Sequence, residues 1–510
     1  MTDKNNKPSF LSRILNLTEK AGNALPHPAT LFLIFTLLVL VFSWLAWLVD
    51  WHAIHPDTNE EIHPVNLLSK EGLHNILLHM VDNYTGFAPL GIVMVALLGI
   101  GIAESSGLIS SLVRLLILSA PRKMLTFVIV LTGIMSNVAS DVGYVLLIPL
   151  AGVIFKAIGR NPIGGMAAAF AGVSGGFSAN IVLGTTDPLL AGLSQEAARI
   201  VDPDYLVNPT ANYYFMAVST FLIAGVGTWV SEKIVFPRLG EYHAADEEKE
   251  SLEKLSPKEK SGLRWAGLVT LALIGVAIWG VVPENGFLLG KDGTFLSSPL
   301  IKGVVSVLFL GAGLSGLAYG IASGAFKSDS DVMNGMGQSM KTIASYFVLV
   351  FFAAQFVAYF KWSNLGVIFA IKGATGLIAL DLGIIPLMLM FILLSALINM
   401  LMGSASAKWA IMAPVFIPMF MFMGYSPELS QAVFRIGDSV TNVISPMMSF
   451  FALIIAFFHK YDKKAGIGTI IATMLPYSVA FLISWSALLI VWILLGLPLG
   501  PGAGLYYQMH

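Results

Sequence analysis

The sequence predicts an all-α polytopic membrane protein with about nine clean membrane spans, together with segments that enter the bilayer and turn back. Composition is the first reason: 56% of the 510 residues are hydrophobic and only 12% are charged, against roughly 25% charged residues in soluble domains. Length is the second reason, because apolar runs of about 20 residues, enough to cross a bilayer as a helix, recur along the chain.

Charge and cysteine content exclude several functional classes. The net charge of -1 argues against a nucleic-acid partner, which would need a basic surface. The chain has no cysteine, which excludes disulfides, thiolate chemistry and cysteine-based metal sites. We therefore expect the lipid bilayer to be the main environment of the chain.

In chain order, the sequence divides into a cytoplasmic or interfacial N-terminal segment, a first membrane half, a charged cytoplasmic linker, a second membrane half and a C-terminal tail, at residues 1–28, 29–236, 237–264, 265–496 and 497–510. Phe10, Ile14 and Leu17 share one helical face, as in a helix that lies in the membrane interface, although a frayed tail fits equally well. The N-terminal segment is basic and residues 50–85 hold little Lys or Arg. The excess of basic residues on the cytoplasmic side therefore places the N-terminus inside.

The individual spans follow from uninterrupted apolar runs. Clean runs lie at 30–49, 265–282, 343–360 and 477–496. Other apolar stretches, several of them broken by Gly, Pro, Ser, Asn or a charge, lie at 86–118, 124–152, 165–190, 212–236, 301–323, 384–402, 405–425 and 441–458.

The two membrane halves contain similar polar interruptions. NVASDVGYVLLIP (137–149) in the first half resembles NMLMGSASAKWAIMAP (399–414) in the second. Each is followed by another broken segment, SANIVLGTTDP (178–188) or SVTNVISP (439–446). Paired interruptions in corresponding places are typical of transporters that are built from repeats.

Ionisable side chains in these broken segments are the candidate functional groups, since each costs about 2.5–3.5 kcal/mol at the centre of a bilayer. They are Asp141, Asp187, Lys408, Arg435 and Asp438. Such groups should pair, face water or bind a substrate.

Arg435, Asp438 and Asn442 would share one helical face, because their spacings are three and four residues. One interpretation is a neutralising Arg435–Asp438 pair. The other is a cation site, because a carboxylate and amide oxygens suit a hard cation, and the residues at 403–406 could add backbone carbonyls.

Enzyme and pump alternatives lack their motifs. GVSG (172–175) and GLSG (313–316) match the short serine motif of intramembrane proteases, but that chemistry needs a base, and no histidine lies centrally in an apolar span. No P-loop or HExxH motif occurs. A gradient-driven carrier remains, with a passive channel and a membrane enzyme as competing classes.

The chain resembles the AbgT transporter family, named for p-aminobenzoyl-glutamate, over essentially its full length. The resemblance rests on FAPLG (87–91), GFSANIVLGTTDPLLAG (176–192), QFVAYFKWSNLG (355–366), GSASAKWAIMAPVFIPMF (403–420) and FRIGDSVTNVISPM (434–447). It implies a homodimer in the bacterial inner membrane, with nine transmembrane helices and two re-entrant hairpins per subunit in inverted repeats.

The resemblance also implies site residues. Positions along the substrate path are Asp187, Trp409, Pro427 and Arg435, with Ser406 and Pro446 beside them. A sodium site is implied at Asn399, Gly403, Asp438 and Asn442, in agreement with the cation interpretation above. No organic cofactor is expected. Lys408 departs from the family pattern, which has an uncharged residue there, and Asn137, Asp141 and Asn180 form a hypothetical second ion site.

These implications define the expected function. We expect a secondary active transporter of p-aminobenzoyl-glutamate or related para-aminobenzene compounds, including export of sulfonamide antimetabolites, coupled to protons, sodium or both. Trp409 would stack on the substrate ring, Arg435 would attract its carboxylate or sulfonamide, and Asp187 would relay a proton or gate the path. The alternative is a sodium-driven importer of another small aromatic or dicarboxylate anion.

Overall fold

The computed structural model describes residues 26–508, apart from 57, 139–142, 241–254, 292, 296, 343 and 464. The predicted interfacial helix around Phe10 and the candidate ion ligand Asp141 therefore lie outside the described residues.

The described part is built almost entirely of α-helices, which confirms the predicted fold class. In the first half they are α1 Pro28–Leu48, α2 Lys70–Thr85, α3 Ala88–Ser105, α4 Leu108–Leu118, α5 Leu125–Ser136, α6 Ile148–Ala157, α7 Pro162–Phe170, α8 Thr186–Ala198, α9 Tyr213–Val230 and α10 Phe236–Leu239. Short π-helical turns precede α6 and follow α7 and α9, at Gly143–Leu147, Ala171–Gly175 and Ser231–Val235.

The second half repeats this helical character. Its helices are α11 Pro257–Val281, α12 Pro299–Lys302, α13 Val304–Ser323, α14 Asp329–Thr342, α15 Ala344–Trp362, α16 Leu365–Ile378, α17 Ile384–Leu401, α18 Ala405–Phe422, α19 Pro427–Asn442, α20 Phe451–His459 and α21 Ile467–Leu494. Among the described residues, the β-structure consists of two short antiparallel strands, β1 Ala53–Ile54 and β2 Glu61–Ile62, and of isolated bridges.

Nine helices in the described ranges are long and apolar enough to cross a membrane, or ten if the bent pair Leu108–Leu118 and Arg122–Val138 forms one span. They are Pro28–Leu48, Lys70–Ser105, Tyr213–Leu239, Pro257–Val281, Val304–Ser323, Ala344–Trp362, Ile384–Leu401, Ala405–Phe422 and Ile467–Leu494. Two of them, α17 and α18, are the arms on either side of the break where the second re-entrant hairpin is expected.

Two spans begin earlier than their apolar runs suggest. α11 starts at Pro257, within the stretch assigned to the linker, because Ser256 and Glu259 form a capping box that starts the helix among charged residues. α21 starts at Ile467 and continues through Pro476, whereas the predicted apolar run begins after that proline, at residue 477.

Both halves contain the same order of a helix pair with a short break followed by a broken helix. In the first half, the first break follows the end of α5 at Ser136. The second break lies between the π-helical turn that ends at Gly175 and the start of α8 at Thr186. In the second half, three residues separate α17 from α18, and eight separate α19 from α20. The four breaks fall in the four polar stretches that the sequence marks.

The polar helix α19 lies at the centre of this arrangement. It packs against α8, α17, α18 and α21, and every residue of α19 except Thr441 is buried. A helix that is polar yet enclosed on all sides must satisfy its side chains within the protein. It is therefore where the candidate site is found.

Candidate functional site

An ion pair joins the two membrane halves. Arg435 on α19 places its Nη1 atom 2.7 Å from Oδ1 of Asp187 on α8, and both side chains are almost fully buried. Arg435 Nη2 also donates to the carbonyl oxygen of Ser178 at 3.1 Å, while Asp187 Oδ2 accepts from the amide of Gly184 at 2.7 Å. The pair therefore holds both ends of the break between α7 and α8 against α19.

A second buried ion pair lies one turn further along α19. Lys408 Nζ is 2.5 Å from Oδ1 of Asp438, and each side chain is only 1% exposed. The same ammonium donates to Oδ1 of Asn399. The Arg435–Asp438 pair considered from spacing is thus not formed, because each residue has a different partner, and Lys408 points into the bundle.

The four predicted sodium ligands do come together. Asn399 Nδ2 donates to the carbonyl oxygen of Asp438 at 2.6 Å and to Oδ1 of Asn442 at 2.9 Å. Gly403 lines a cavity together with Asp438 and Asn442. The prediction that these residues cluster agrees with the geometry, whereas sodium binding itself stays a prediction.

Lys408 changes what this cluster can hold. Its ammonium lies against two of the side-chain oxygens that would bind a cation, on Asn399 and Asp438. Asp438 is the one carboxylate among the four predicted ligands, so a sodium ion beside the ammonium would leave an unbalanced positive charge in a buried site, which is costly. The residues as arranged do not fit a sodium ion, and we assign no step to one.

A cavity of about 220 Å³ lies where the breaks of the two halves meet. Its lining includes Asn137 and Thr186 from the first half and Gly403 and Asn442 from the second. Tyr144 and Phe450, which also line it, stack with ring centroids 4.5 Å apart and planes inclined by 13°. Sequence reasoning assigned neither ring to the site; the signal for Phe450 is its place in the polar break before α20.

Trp409 belongs to the same region but is closed off from the cavity. Its ring is fully buried and stacks on Phe434, with centroids 4.4 Å apart. The indole Nε1 donates to Ser194 Oγ at 2.9 Å, and Ser194 Oγ donates to Gln431 at 2.6 Å. Trp409 thus connects α18 to both α8 and α19, and in this conformation its ring stacks on Phe434 and does not line the cavity.

The remaining predicted substrate residues lie around the edges of this region. Pro427 is the first residue of α19, so Arg435 lies eight residues, or about 12 Å, further along the helix. Ser406 is half-buried in the first turn of α18, and Pro446 is half-buried in the break after α19. The structure does not bring Pro427 beside Arg435.

The first half offers a partial counterpart of the Asn399 cluster. Asn137 Nδ2 donates to the carbonyl oxygen of Val173 at 3.0 Å, much as Asn399 binds the backbone of α19. Asn180 uses its Oδ1 to accept from the amide of Ile181 at 3.0 Å. Since Asp141 lies outside the described residues, the second ion site stays a hypothesis.

Sequence reasoning also missed a buried acid at the start of α19. Glu428 Oε2 accepts from the hydroxyl of Tyr205 at 3.0 Å, and the Glu428 carbonyl accepts from Asn212 Nδ2 at 2.8 Å. Asn212 in turn accepts from Gln431 Nε2 at 2.9 Å. The sequence signal for Glu428 was an acidic residue in the first turn of a helix, directly after Ser-Pro, which is a common helix start.

Comparison with known proteins gives consistent matches over nearly the whole chain. The AbgT putative transporter family matches residues 13–507. The p-aminobenzoyl-glutamate transport protein of Escherichia coli strain K12 is 37% identical over 491 residues, which cover 96% of each chain.

Two solved structures share the fold. The YdaH transporter of Alcanivorax borkumensis, described as having an unusual topology, is 46% identical with a TM-score of 0.89, covering 93% of this chain and all of that one. MtrF of Neisseria gonorrhoeae, described as illuminating a class of antimetabolite efflux pumps, is 51% identical with a TM-score of 0.91, covering 96% of this chain and all of that one.

Proposed function

Because the chain belongs to the AbgT transporter family, we propose that it is a secondary active transporter of p-aminobenzoyl-glutamate or related para-aminobenzene compounds, including sulfonamide antimetabolites. One relative is named as a p-aminobenzoyl-glutamate transport protein, and another is described with antimetabolite efflux pumps. These relatives are transporters, and we propose no enzymatic reaction. We place the chain in the bacterial inner membrane as a homodimer with a cytoplasmic N-terminus.

The Arg435–Asp187 ion pair is the observation that carries this proposal. A guanidinium presents paired N–H donors that suit a carboxylate or sulfonamide group. In the described conformation Asp187 takes up that donor face at 2.7 Å. An anionic substrate must therefore displace Asp187, or bind after Asp187 has taken up a proton and lost its charge.

This competition supports protons as the coupling ion. Neutralising Asp187 weakens its bond to Arg435, so proton uptake and substrate binding act on the same guanidinium. A ligand biases a transport cycle only if it binds one state better than another, and the loss of this pair would provide that difference. The direction of transport is then set by the polarity of the proton gradient together with whether substrate and proton move in the same or in opposite directions.

Aromatic side chains that line the cavity support a flat substrate. Tyr144 and Phe450 line the cavity as a stacked pair, and a substrate ring would interact with them by offset or edge contacts. Trp409 becomes available to a substrate ring when Phe434 moves away from it. Ser406 and Pro446 would then lie on the path at the two breaks of the second half, with Pro427 further along α19.

Transport in reconstituted vesicles tests the proposal. Labelled p-aminobenzoyl-glutamate and a labelled sulfonamide are supplied under pH gradients of either polarity. We expect wild-type protein to transport under one polarity, Asp187→Asn to lose the gradient-driven component but retain exchange between labelled and unlabelled substrate, and Arg435→Ala to lose both.

Glu196→Gln is the matched control, because Glu196 lies on the same helix α8 and pairs with Arg199 at 3.3 Å, away from Arg435. It should transport like wild type. Gradient-driven transport that survives in Asp187→Asn would contradict proton coupling at this residue, and uptake that neither saturates nor responds to any gradient would indicate a channel.

A further inference from the structure

We propose that the ammonium group of Lys408 is a tethered cation that replaces a bound sodium ion at Asp438 and Asn399, so that this chain folds and transports without sodium. The proposal goes beyond the transport function, and the measurement of sodium binding that tests it requires no substrate. It rests on the observation that the ammonium of a lysine lies among oxygen atoms that would otherwise suit a bound metal cation.

The placement of Lys408 is the first step. It lies in the first turn of α18, directly after the break at 402–404, where Ser404 caps the helix by accepting from the amide of Ala407 at 3.3 Å. Its side chain is 1% exposed. A lysine with access to water would extend its ammonium to the surface, so this burial requires partners inside the bundle.

The orientation of Asn399 is the second step. Its Nδ2 donates to the Asp438 carbonyl, to Thr441 Oγ1 and to Asn442 Oδ1, at 2.6, 2.9 and 2.9 Å. These three acceptors fix the amide group so that Oδ1 points to Lys408. The acceptors around Nζ are therefore held in place by α19 rather than gathered by the lysine.

The charge balance is the third step. The Asp438 carboxylate and the Lys408 ammonium neutralise each other at 2.5 Å in a site with almost no solvent exposure. Oxygen ligands of this kind suit either an ammonium or a small metal cation, but one carboxylate balances only one of them. A covalently held cation is always present, so its binding adds no dependence on the ion concentration.

The structural consequence concerns the break between α17 and α18. Asn399 lies near the end of α17, Lys408 at the start of α18 and Asp438 on α19, so the ammonium connects three helices at one point. In a sodium-dependent arrangement the free ion would order this break, and its binding would shift the population of conformations. In this chain the ammonium group of Lys408 orders the break between α17 and α18 at all times.

Thermal stability of the purified full-length protein tests the proposal. Unfolding midpoints are measured in sodium chloride and in choline chloride at equal ionic strength, over a series of concentrations. For wild type we expect equal midpoints in the two salts. For Lys408→Met, which removes the charge and keeps most of the length of the side chain, we expect a lowered midpoint in choline chloride and a saturable recovery with sodium.

Two further variants keep the result interpretable. Lys408→Met combined with Asp438→Asn removes both charges, and we expect it to fold without any sodium response even if the single variant fails to fold. Lys372→Met is the matched control: Lys372 lies on the helix α16, is exposed, and places its ammonium 5.5 Å from the Trp51 ring centroid. It should behave like wild type in both salts.

A saturable stabilisation of wild type by sodium would overturn the proposal. So would an absence of any sodium response in a folded Lys408→Met protein, because the cluster would then not be a cation site. In vesicles, replacing sodium by choline should leave the wild-type transport rate unchanged. If no substrate is transported in either salt, the proposed function fails, while the thermal measurements still decide the role of Lys408.

Discussion

The buried charges of the second membrane half are paired across segments that lie far apart in sequence. The chain itself indicates that Asp187, Lys408, Arg435 and Asp438 need partners, because an unpaired charge is costly inside a membrane protein. It does not indicate which partners they choose. Spacing on α19 suggests Arg435 with Asp438, whereas the fold brings Asp187 and Lys408 to them instead.

Trp409 is a packing residue and a proposed substrate contact at once, and two substitutions separate these roles. Trp409→Ala should lower the free energy of unfolding by about 3–5 kcal/mol, as for other large buried aromatic residues. Trp409→Phe keeps a ring against Phe434 and loses the hydrogen bond to Ser194, a loss of about 1 kcal/mol. Denaturation in detergent measures both.

Transport by Trp409→Phe then tests the contact with substrate. If the ring stacks on the substrate, the phenylalanine variant should retain transport with a weaker apparent affinity, and the alanine variant should lose it. Equal apparent affinities for wild type and Trp409→Phe, together with unchanged rates, would show that Trp409 has a packing role alone.

At the scale of elements, the position of the breaks was predictable and the helix starts were less so. Clusters of Gly, Ser, Asn and Pro mark all four breaks, because these residues favour turns and interrupt helices. Counting apolar residues placed the start of α11 too late, since the capping box of Ser256 and Glu259 lies outside the apolar run. The sequence contains that signal, in Ser-Pro-Lys-Glu before the span.

Gly403 allows the break between α17 and α18 to approach the break after α19. A Cβ atom at Gly403 would overlap the carbonyl oxygen of Met447. We expect Gly403→Ala to lower the free energy of unfolding by about 1–3 kcal/mol, as overpacking typically does, because backbone on both sides would have to shift.

Gly267→Ala is the matched control for this substitution. Gly267 lies within the helix α11, and nothing lies within 4 Å of the Cβ that would be added there. Alanine should leave stability unchanged or raise it by up to about 1 kcal/mol through helix propensity. Equal effects of the two substitutions would show that Met447 does not restrict position 403.

At the scale of the whole molecule, the paired interruptions in the sequence correspond to a repeated architecture. Each half contributes a helix pair with a short break and then a broken helix, and the breaks of both halves line one cavity. The meeting of these breaks could not be deduced from local patterns. It depends on contacts between segments that are more than 200 residues apart, such as Ser178 with Arg435.

The membrane orientation can be tested directly because the chain has no cysteine. Single cysteines are introduced as Glu60→Cys, in the loop between β1 and β2, and Lys460→Cys, at the end of α20. With a cytoplasmic N-terminus, we expect an impermeant maleimide to label Glu60→Cys in intact cells and Lys460→Cys only after permeabilisation. The reverse pattern would contradict the orientation, and the unmodified chain supplies the unlabelled control.

The stacked rings of Tyr144 and Phe450 give the two halves a shared reporter. One ring belongs to each half, and their planes remain nearly parallel at 4.5 Å only while the halves keep this relative position. A rearrangement that opens the cavity between them must separate the rings and expose Tyr144 to solvent. Quenching of a fluorescent tyrosine analogue at position 144 would therefore follow the transport cycle in real time.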